Sequence, residues 1–374
     1  MSASPGSLDT YRVLYVDDED DRKTKRTADR VREAAQLECE RVDPPKIEEN
    51  ELEAFFNRDA DLYLVDQDLS GLRGYLGSGL AGHIRTERSD RPIVLISRSS
   101  VSRDRLRSAD TFEELHVADE FIKKGHLNGE GLDRVHALLE GLAAGYARLR
   151  QAPPGKIDLR AVIGADEDEF DAVREASPPV SKGERTPFPV ARWVRSTFLA
   201  YPGLVLSPLH AAVLLGLAPE AFARPDVRAR FASAAYGGVF APPEGRWWKG
   251  RLLRVATVIC REAEEPGPVR DALRRALADD DGPLPAARCV WDNSEGADAV
   301  CAVLRAPVKV AHSLRYYPDA RPSVMDPARV SFRAIRMSNE FDDGLLDSGG
   351  LRELGRIEKL KVPDLTGSLA EGGL

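Results

Sequence analysis

The sequence predicts an α/β domain built on a parallel β-sheet in its first 149 residues, followed by an α+β domain. Two observations support the first part: short apolar runs alternate with helix-like segments, and several of these runs end directly in polar residues. Strands that alternate with helices across short loops are typical of parallel sheets covered on both faces. Beyond residue 150 this alternation stops, and helical segments and short strands follow in no regular order.

Five segments are predicted to be strands. Four of them, VLYV, LYLV, IVLI and EFIK, are short and mainly apolar, as expected of strands buried on both faces. The remaining one is weaker and covers residues 37–42. Helices are expected from residue 22 to 37, from about residue 45, and at the end of the domain, where Leu132, Val135, Leu139, Leu142 and Tyr146 recur at helical spacing.

Polar side chains are concentrated where these strands end. Asp17 and Asp18 follow the first strand, Asp66 ends the third, Ser97 the fourth and Lys123 the fifth. In doubly wound sheets, ligands bind beyond the carboxyl ends of the strands, near the point where strand order reverses. One edge of the sheet is therefore expected to gather three carboxylates, a hydroxyl and an ammonium group.

The segments VLYVDDE, DLYLVDQDL, RPIVLIS and EFIKK, in this order, resemble the receiver domain of two-component response regulators over residues 11–149. The resemblance implies a flavodoxin-like, doubly wound, five-stranded parallel sheet. It also implies a phosphoryl acceptor that is served by a histidine kinase or a phosphotransfer protein. No enzymatic activity is expected of such a domain beyond self-catalysed phosphoryl transfer and autodephosphorylation.

The same resemblance assigns a role to each strand-end residue. Asp66 is expected to accept the phosphoryl group, and Mg²⁺ to bind Asp17, Asp18, Asp66 and the backbone carbonyl of Asp68. Ser97 and Lys123 would contact the phosphoryl oxygens, while Phe121 would be the aromatic switch residue. Phe121 is also compatible with a simple core position.

Three features depart from the family pattern. The loop after Asp66 is longer, rich in glycine and free of proline, Arg98 replaces a small residue after Ser97, and Lys124 stands where proline is usual. The first two are expected to affect the rate of loop closure and the lifetime of the acyl phosphate. Asp20 and Asp21 are expected to be solvated at a helix start rather than bound to the metal.

Composition and charge limit the classes of function. The chain has 374 residues, 43% of them hydrophobic, and a net charge of −8. Residues 1–150 contain 23 basic and 30 acidic side chains, which argues against nonspecific nucleic-acid binding by this part. Four scattered cysteines predict reduced thiols, and the lack of a signal-like or membrane-spanning segment leads us to expect a cytoplasmic protein without membrane contact.

The rest of the chain resembles no family that we can identify. We expect a tail at 1–10, a linker with an acidic segment at 150–188, an α+β output or adaptor domain at 189–362, and a tail at 363–374. Residues 207–222 have the spacing of a helix-turn-helix, but Pro225 would end the second helix early. Cys289, Cys301 and His312 match no common zinc pattern, so ordinary buried thiols are expected.

Residues 182–254 combine 11 basic and 4 acidic side chains with several aromatic residues. This composition suits single-stranded nucleic acid, a protein-binding face, or aromatic side chains that are simply core. The sequence therefore predicts a response regulator in which phosphorylation switches a carboxyl-terminal domain, with homodimerisation possible. Two alternatives stay open: a phosphate sink or docking adaptor for a sensor kinase, and a DNA-binding transcriptional regulator.

Overall fold

The computed structural model describes residues 10–18, 22–45, 51–69, 76–97, 117–128, 131–153, 155–176, 179–199, 203–278, 282–316 and 328–340. The chain forms two compact units. The first comprises Met1–Ile163, Pro179–Arg195 and Gly238–Pro243, and the second comprises Gly164–Pro178, Ser196–Gly237 and Glu244–Leu374. The first unit therefore extends beyond residue 149, where the sequence suggested that the first domain ends. Asp20, Asp21, Arg98 and most of the loop after Asp66 lie outside the described residues.

The first unit contains a five-stranded sheet with strand order β2-β1-β3-β4-β5, in which every pair is parallel. This order matches the doubly wound arrangement expected from the sequence, with the reversal of strand order between β1 and β3. The strands are β1, Tyr11–Val16; β2, Leu37–Val42; β3, Leu62–Asp66; β4, Ile93–Ser97; and β5, Glu120–Lys123.

Alternate residues of these strands enter two different hydrophobic cores, as strand geometry requires. Tyr15 and Leu64 pack with the helices Arg22–Arg32 and Leu132–Arg150 on one face. Leu14 and Val65 belong to the core on the other face, where the helices Glu51–Phe56 and Gly77–Glu87 contribute their apolar side chains. Helices on both faces explain why the central strands β3 and β4 are almost entirely apolar, whereas the edge strand β2 exposes Glu38 and Glu40.

The remainder of the first unit comes from chain beyond the sheet. It includes the helices Leu159–Ile163 and Pro187–Trp193 and the 3₁₀ turn Lys182–Glu184. The Arg85 guanidinium lies 3.7 Å from the centre of the Phe188 ring, which fastens the second of these helices to the sheet domain. The first unit is thus a sheet domain with a further helical segment, Pro179–Arg195, which we call the covering helical segment.

The second unit is α+β, as the sequence predicted. Its four-stranded sheet has the order β10-β11-β8-β9, and β6 pairs with β7 in a separate two-stranded sheet. Its strands are β6, Val205–Leu206; β7, Trp247–Trp248; β8, Ala299–Cys301; β9, Ala306–Val308; β10, Ser313–Tyr316; and β11, Ala328–Ser331. Its helices are Glu167–Ala176, Pro208–Leu215, Pro219–Ala223, Pro225–Arg230, Lys249–Glu262, Val269–Ala276 and Phe332–Glu340.

Most of the aromatic residues that the structure describes in the basic region are buried, whereas Phe188 and Phe240 are half-buried. Their buried members are Trp193, Phe198, Phe231, Trp247 and Trp248. The helix Pro219–Ala223, second in the proposed helix-turn-helix, has five residues, and its Phe222 is fully buried. Buried rings cannot stack on nucleic-acid bases, and a helix of this length spans little of a major groove. None of the described helices is long and apolar enough to cross a membrane.

Candidate phosphoryl-acceptor site

Two buried carboxylates lie at the carboxyl edge of the parallel sheet. Asp66 is the last residue of β3 and Asp17 follows β1 directly, and both side chains are almost completely shielded from solvent. The register pairs Val16 with Val65, so β1 and β3 end side by side. Asp18, the next residue, is half-buried at the same strand end. The sheet topology therefore brings Asp17 and Asp66 together as the sequence predicted.

One ammonium group bridges the two carboxylates, and it belongs to Lys124. Its Nζ atom lies 3.2 Å from Asp17 Oδ2 and donates a second, shorter hydrogen bond to Asp66 Oδ2. The sequence assigned this position to Lys123, so the prediction is displaced by one residue. Lys123 is exposed at the end of β5, where it pairs in register with Ser97.

The displacement follows from the local backbone. β5 ends at Lys123, and the 3₁₀ turn Lys124–Asn128 begins with the next residue. Ile122 faces the core that contains Tyr15 and Leu64, so alternation along the strand places Lys123 on the other side, with Phe121. The turn directs the Lys124 side chain back over the strand ends. Alternation around Ile122 was visible in the sequence and could have separated the two lysines.

Tyr15 is a site residue that sequence reasoning missed. Its hydroxyl donates a hydrogen bond to Asp17 Oδ2, the same oxygen that Lys124 contacts. Burial raises the pKa of Tyr15, and the neighbouring Asp17 raises it further, so the phenol keeps its proton. Asp17 directly follows β1, two residues after Tyr15, and this spacing places both side chains on one face of the sheet. The spacing is the feature of the sequence that could have identified Tyr15 as a site residue.

The backbone around Asp66 is closely packed. The Asp68 N–H donates to Asp66 Oδ1 at 3.4 Å, and the Gly77 N–H donates to the Gln67 carbonyl at 3.1 Å. A Cβ atom at position 77 would lie 1.9 Å from the Asp66 carbonyl oxygen, so only glycine fits there. The carbonyl of Asp68 as a metal ligand stays a prediction.

Burial and mutual contact shift the pKa values of Asp66 and Lys124. Burial raises the pKa of Asp66 to about 6, although the hydrogen bond and charge of Lys124 oppose this increase. Burial would lower the pKa of Lys124, but Asp66 and Asp17 outweigh it and raise that pKa above its ordinary value. Asp66 is therefore mainly an ionised carboxylate at neutral pH.

The donor set fits a hard divalent cation. Asp17, Asp18 and Asp66 supply carboxylate oxygens, which are the ligands that Mg²⁺ prefers. Two of these carboxylates, Asp17 and Asp66, are buried and both contact the Lys124 ammonium group. A further cation among carboxylates this close together would reduce their mutual repulsion.

The strand next to the site connects it to the covering helical segment of the first unit. Arg195 donates to the Asp119 carbonyl at 2.6 Å and to Glu120 Oε2 at 2.7 Å, directly before Phe121. The Asp119 carboxylate also accepts hydrogen bonds from Arg85 at 2.6 Å and Tyr146 at 2.6 Å. Phe121 itself is half-buried against the core that contains Leu95. The start of β5 is thus held by side chains from three other elements.

The strand order, register and flanking helices give the first unit the flavodoxin-like fold of response-regulator receiver domains. Three solved structures that are similar to the amino-terminal part of this chain come from response regulators. The response regulator TrrA from Thermotoga maritima, in complex with Mg²⁺ and BeF, is 24% identical over 36% of this chain and 99% of its own, with a TM-score of 0.26.

Two further receiver domains show the same pattern of coverage. The CheY-like receiver domain from Methanospirillum hungatei is 19% identical over 37% of this chain and 98% of its own, with a TM-score of 0.28. The receiver domain of the NarL regulator from Mycobacterium tuberculosis is 17% identical over 37% and 98%, with a TM-score of 0.28. Neither a protein-family model nor a curated protein sequence matches this chain.

Proposed function

We propose that this protein is a two-component response regulator in which Asp66 accepts a phosphoryl group from a histidine kinase or a phosphotransfer protein. The observation that carries the proposal is the bridge from Lys124 to Asp66 and Asp17 at the carboxyl edge of the sheet. An ionised, buried carboxylate beside a fixed ammonium group is suited to in-line attack on a phosphorus atom.

The chain's own residues account for most of the reaction. An Asp66 oxygen attacks the phosphorus of the phosphohistidine, the P–O bond forms as the P–N bond breaks, and the released imidazole takes a proton from solvent. Lys124 then faces a phosphoryl oxygen instead of the free carboxylate, and Ser97 donates a hydrogen bond to another. Asp17, Asp18, Asp66 and the Asp68 carbonyl would hold Mg²⁺, which supplies positive charge to the transferring oxygens.

The switch would run through the start of β5. Movement of Ser97 toward the phosphoryl group would alter β4 and the adjacent Phe121, and the Arg195 contacts to Asp119 and Glu120 lie immediately beside Phe121. The chain passes from the first unit to the second between Arg195 and Ser196, within the π-helix Val194–Phe198. π-Helical turns are uncommon and often mark functional positions. Release of Arg195 is therefore our proposed signal to the second unit or to a second subunit.

The decisive experiment compares two aspartates that are two residues apart. The full-length protein is treated with acetyl phosphate and Mg²⁺, and the phosphorylated fraction is measured by intact-mass spectrometry. We expect one phosphoryl group on the wild type, none on Asp66→Asn, and wild-type labelling of Asp68→Asn, because the exposed Asp68 side chain is not the acceptor. Equal labelling of wild type and Asp66→Asn would refute the proposal.

The same samples distinguish a switch from a phosphate sink. Size-exclusion chromatography with light scattering before and after phosphorylation reports any change in oligomeric state. Hydrogen exchange at residues 187–198 reports any release of the covering segment. A phosphorylated protein that changes in neither measurement would favour the alternative function of a phosphate sink.

A further inference from the structure

Three side chains of metal-ligand type meet in the second unit, far along the chain from Asp66. The donor atoms of Cys289, Asp292 and His312 all lie within 4.8 Å of one another. Cys289 Sγ is 3.5 Å from His312 Nδ1, and Asp292 Oδ2 is 3.6 Å from the same nitrogen. Sulfur, nitrogen and oxygen thus converge on one point.

The first two ligands lie on a closed turn. The Cys289 N–H donates to the Ser294 carbonyl at 2.8 Å, and the Asn293 N–H donates to the Cys289 carbonyl at 2.8 Å. Asn293 has a left-handed backbone with φ of 56°, a conformation that asparagine tolerates better than most residues. The turn therefore places Asp292 beside Cys289 by its backbone geometry.

The third ligand lies on a neighbouring turn that is fastened to the first. The 3₁₀ turn Val310–His312 is closed by the His312 N–H, which donates to the Lys309 carbonyl at 2.9 Å. The Val290 N–H donates to the Pro307 carbonyl at 2.9 Å and links the two segments. The three ligands are consequently positioned by main-chain hydrogen bonds, as a preorganised site requires.

Two of the ligands also have outer partners of the kind that metal sites use. The Lys309 N–H donates to Cys289 Sγ at 3.4 Å and so helps to fix the position of the sulfur. Ser294 donates to Asp292 Oδ1 from its backbone N–H at 3.1 Å and from its hydroxyl at 2.6 Å. These bonds hold one carboxylate oxygen and leave Oδ2 directed at His312. Such outer contacts orient first-sphere ligands.

We propose that Cys289, Asp292 and His312 bind a zinc-class transition-metal ion. In a tetrahedral zinc site, ordinary bond lengths separate sulfur from nitrogen by about 3.6 Å and nitrogen from oxygen by about 3.3 Å. The observed separations of 3.5 Å and 3.6 Å are close to these values. These two separations therefore need only a small change for metal binding, and the sulfur and the carboxylate oxygen lie within 4.8 Å of each other.

The donor types select the metal. A thiolate and an imidazole favour Zn²⁺ or Co²⁺ over Mg²⁺ and Ca²⁺, which prefer oxygen ligands. On binding, the Cys289 thiol releases its proton to solvent as the sulfur–metal bond forms. A thiolate, a carboxylate, a neutral imidazole and a divalent ion then sum to zero charge. Three protein ligands leave a fourth position for water or another ligand, and the part-exposed Asp292 and His312 give the ion access.

A cysteine-dependent catalytic triad fits the same residues less well. In such triads the nucleophile contacts one nitrogen of the imidazole and the orienting carboxylate contacts the other. Here Cys289 and Asp292 both face Nδ1, so no proton relay across the ring is formed. Cys301 does not belong to this cluster. Its Sγ atom instead accepts hydrogen bonds from the Ser331 N–H at 3.3 Å and from the Ser331 hydroxyl at 3.2 Å.

Cobalt substitution tests the proposal. The full-length protein is stripped with a chelator under reducing conditions and titrated with Co²⁺, whose thiolate complexes absorb in the near ultraviolet. We expect one equivalent to produce this absorption, and one equivalent of Zn²⁺ to abolish it. Cys289→Ser should lose the thiolate band, while Asp292→Asn and His312→Gln should weaken binding by at least about tenfold.

Two thiol-matched controls and one site control complete the design. Cys260→Ser and Cys301→Ala remove other buried thiols and should leave the thiolate band unchanged, provided circular dichroism shows them folded. Asp66→Asn should also leave it unchanged, because an ion held by the carboxylates of the first unit has no sulfur ligand. A wild-type titration without the thiolate band, or an unchanged band in folded Cys289→Ser, would overturn the proposal.

Discussion

The two units assemble their polar clusters by different means. In the first unit, Asp17, Asp66 and Lys124 meet because parallel strands end at one edge, and the two carboxylates are buried. In the second unit, Cys289, Asp292 and His312 meet on two neighbouring turns, and Asp292 and His312 are accessible to solvent. Sheet topology therefore couples the first cluster to the stability of the whole unit, whereas backbone turns define the second locally.

Gly77 lies directly against the Asp66 backbone in the first unit. Gly77→Ala would place a Cβ atom 1.9 Å from the Asp66 carbonyl oxygen, so the strand or the following helix must move. We expect a loss of at least about 4 kcal/mol in the free energy of unfolding of the first unit. Gly82→Ala, in the same helix with nothing within 4 Å, should instead be neutral or stabilise by about 0.5–1 kcal/mol. Urea denaturation followed by hydrogen exchange of each unit measures both, and a tolerated Gly77→Ala would contradict the close packing.

Acid sensitivity should arise in the second unit through His210. Burial lowers the pKa of His210 to about 4, and the charge of Arg246 contributes to this decrease. The unfolded chain therefore binds this proton at higher pH than the folded chain. Neutral His210 stabilises the folded state fully above about pH 6.5. This contribution to the unfolding free energy, about 3 kcal/mol, is lost as the pH falls toward 4. His210→Gln should flatten the dependence of unfolding free energy on pH, whereas exposed His83→Gln should not. Parallel pH profiles for wild type and His210→Gln would contradict this.

The lysine pair tests which residue completes the first cluster. Lys124→Ala removes the ammonium group shared by Asp17 and Asp66, and we expect the initial rate of phosphorylation by acetyl phosphate to fall at least about 100-fold. Lys123→Ala removes an exposed charge one residue away, and the rate should stay within about twofold. Phosphate-affinity gels give both rates. A larger loss for Lys123→Ala would restore the assignment made from the sequence.

The sequence predicted the first unit well because its pattern and its topology are linked. Buried strands such as Leu62–Asp66 appear as apolar runs, and a parallel sheet collects their ends, so Asp17 and Asp66 could be placed together before any coordinates. The exact lysine could not be placed as easily, because Lys123 and Lys124 differ only in where the strand gives way to a 3₁₀ turn. A boundary of one residue decides which side chain faces the site.

The second unit was less predictable because turns leave weaker signals. Around Cys289 the chain forms a turn, because Asn293 adopts a left-handed conformation and closes it. Trp247–Trp248 forms a strand that pairs with Val205–Leu206, and the helix Lys249–Glu262 starts directly after it. Where long-range pairing overrides local pattern, periodicity in the sequence cannot locate the contacts.

The helix Glu167–Ala176 provides the smallest test, and it shows local sequence signals acting in the second unit. Asp166 Oδ1 accepts a hydrogen bond from the Glu169 N–H at 2.8 Å, and Glu169 Oε2 accepts one from the Asp166 N–H at 3.0 Å, which together form a capping box. Asp166→Ala should cost about 1 kcal/mol in the unfolding free energy of this unit. Asp168→Ala, in the same first helical turn and without a capping contact, should change it by less than about 0.5 kcal/mol. Thermal denaturation of both variants decides, and equal effects would show that the acidic turn stabilises by charge alone rather than by capping.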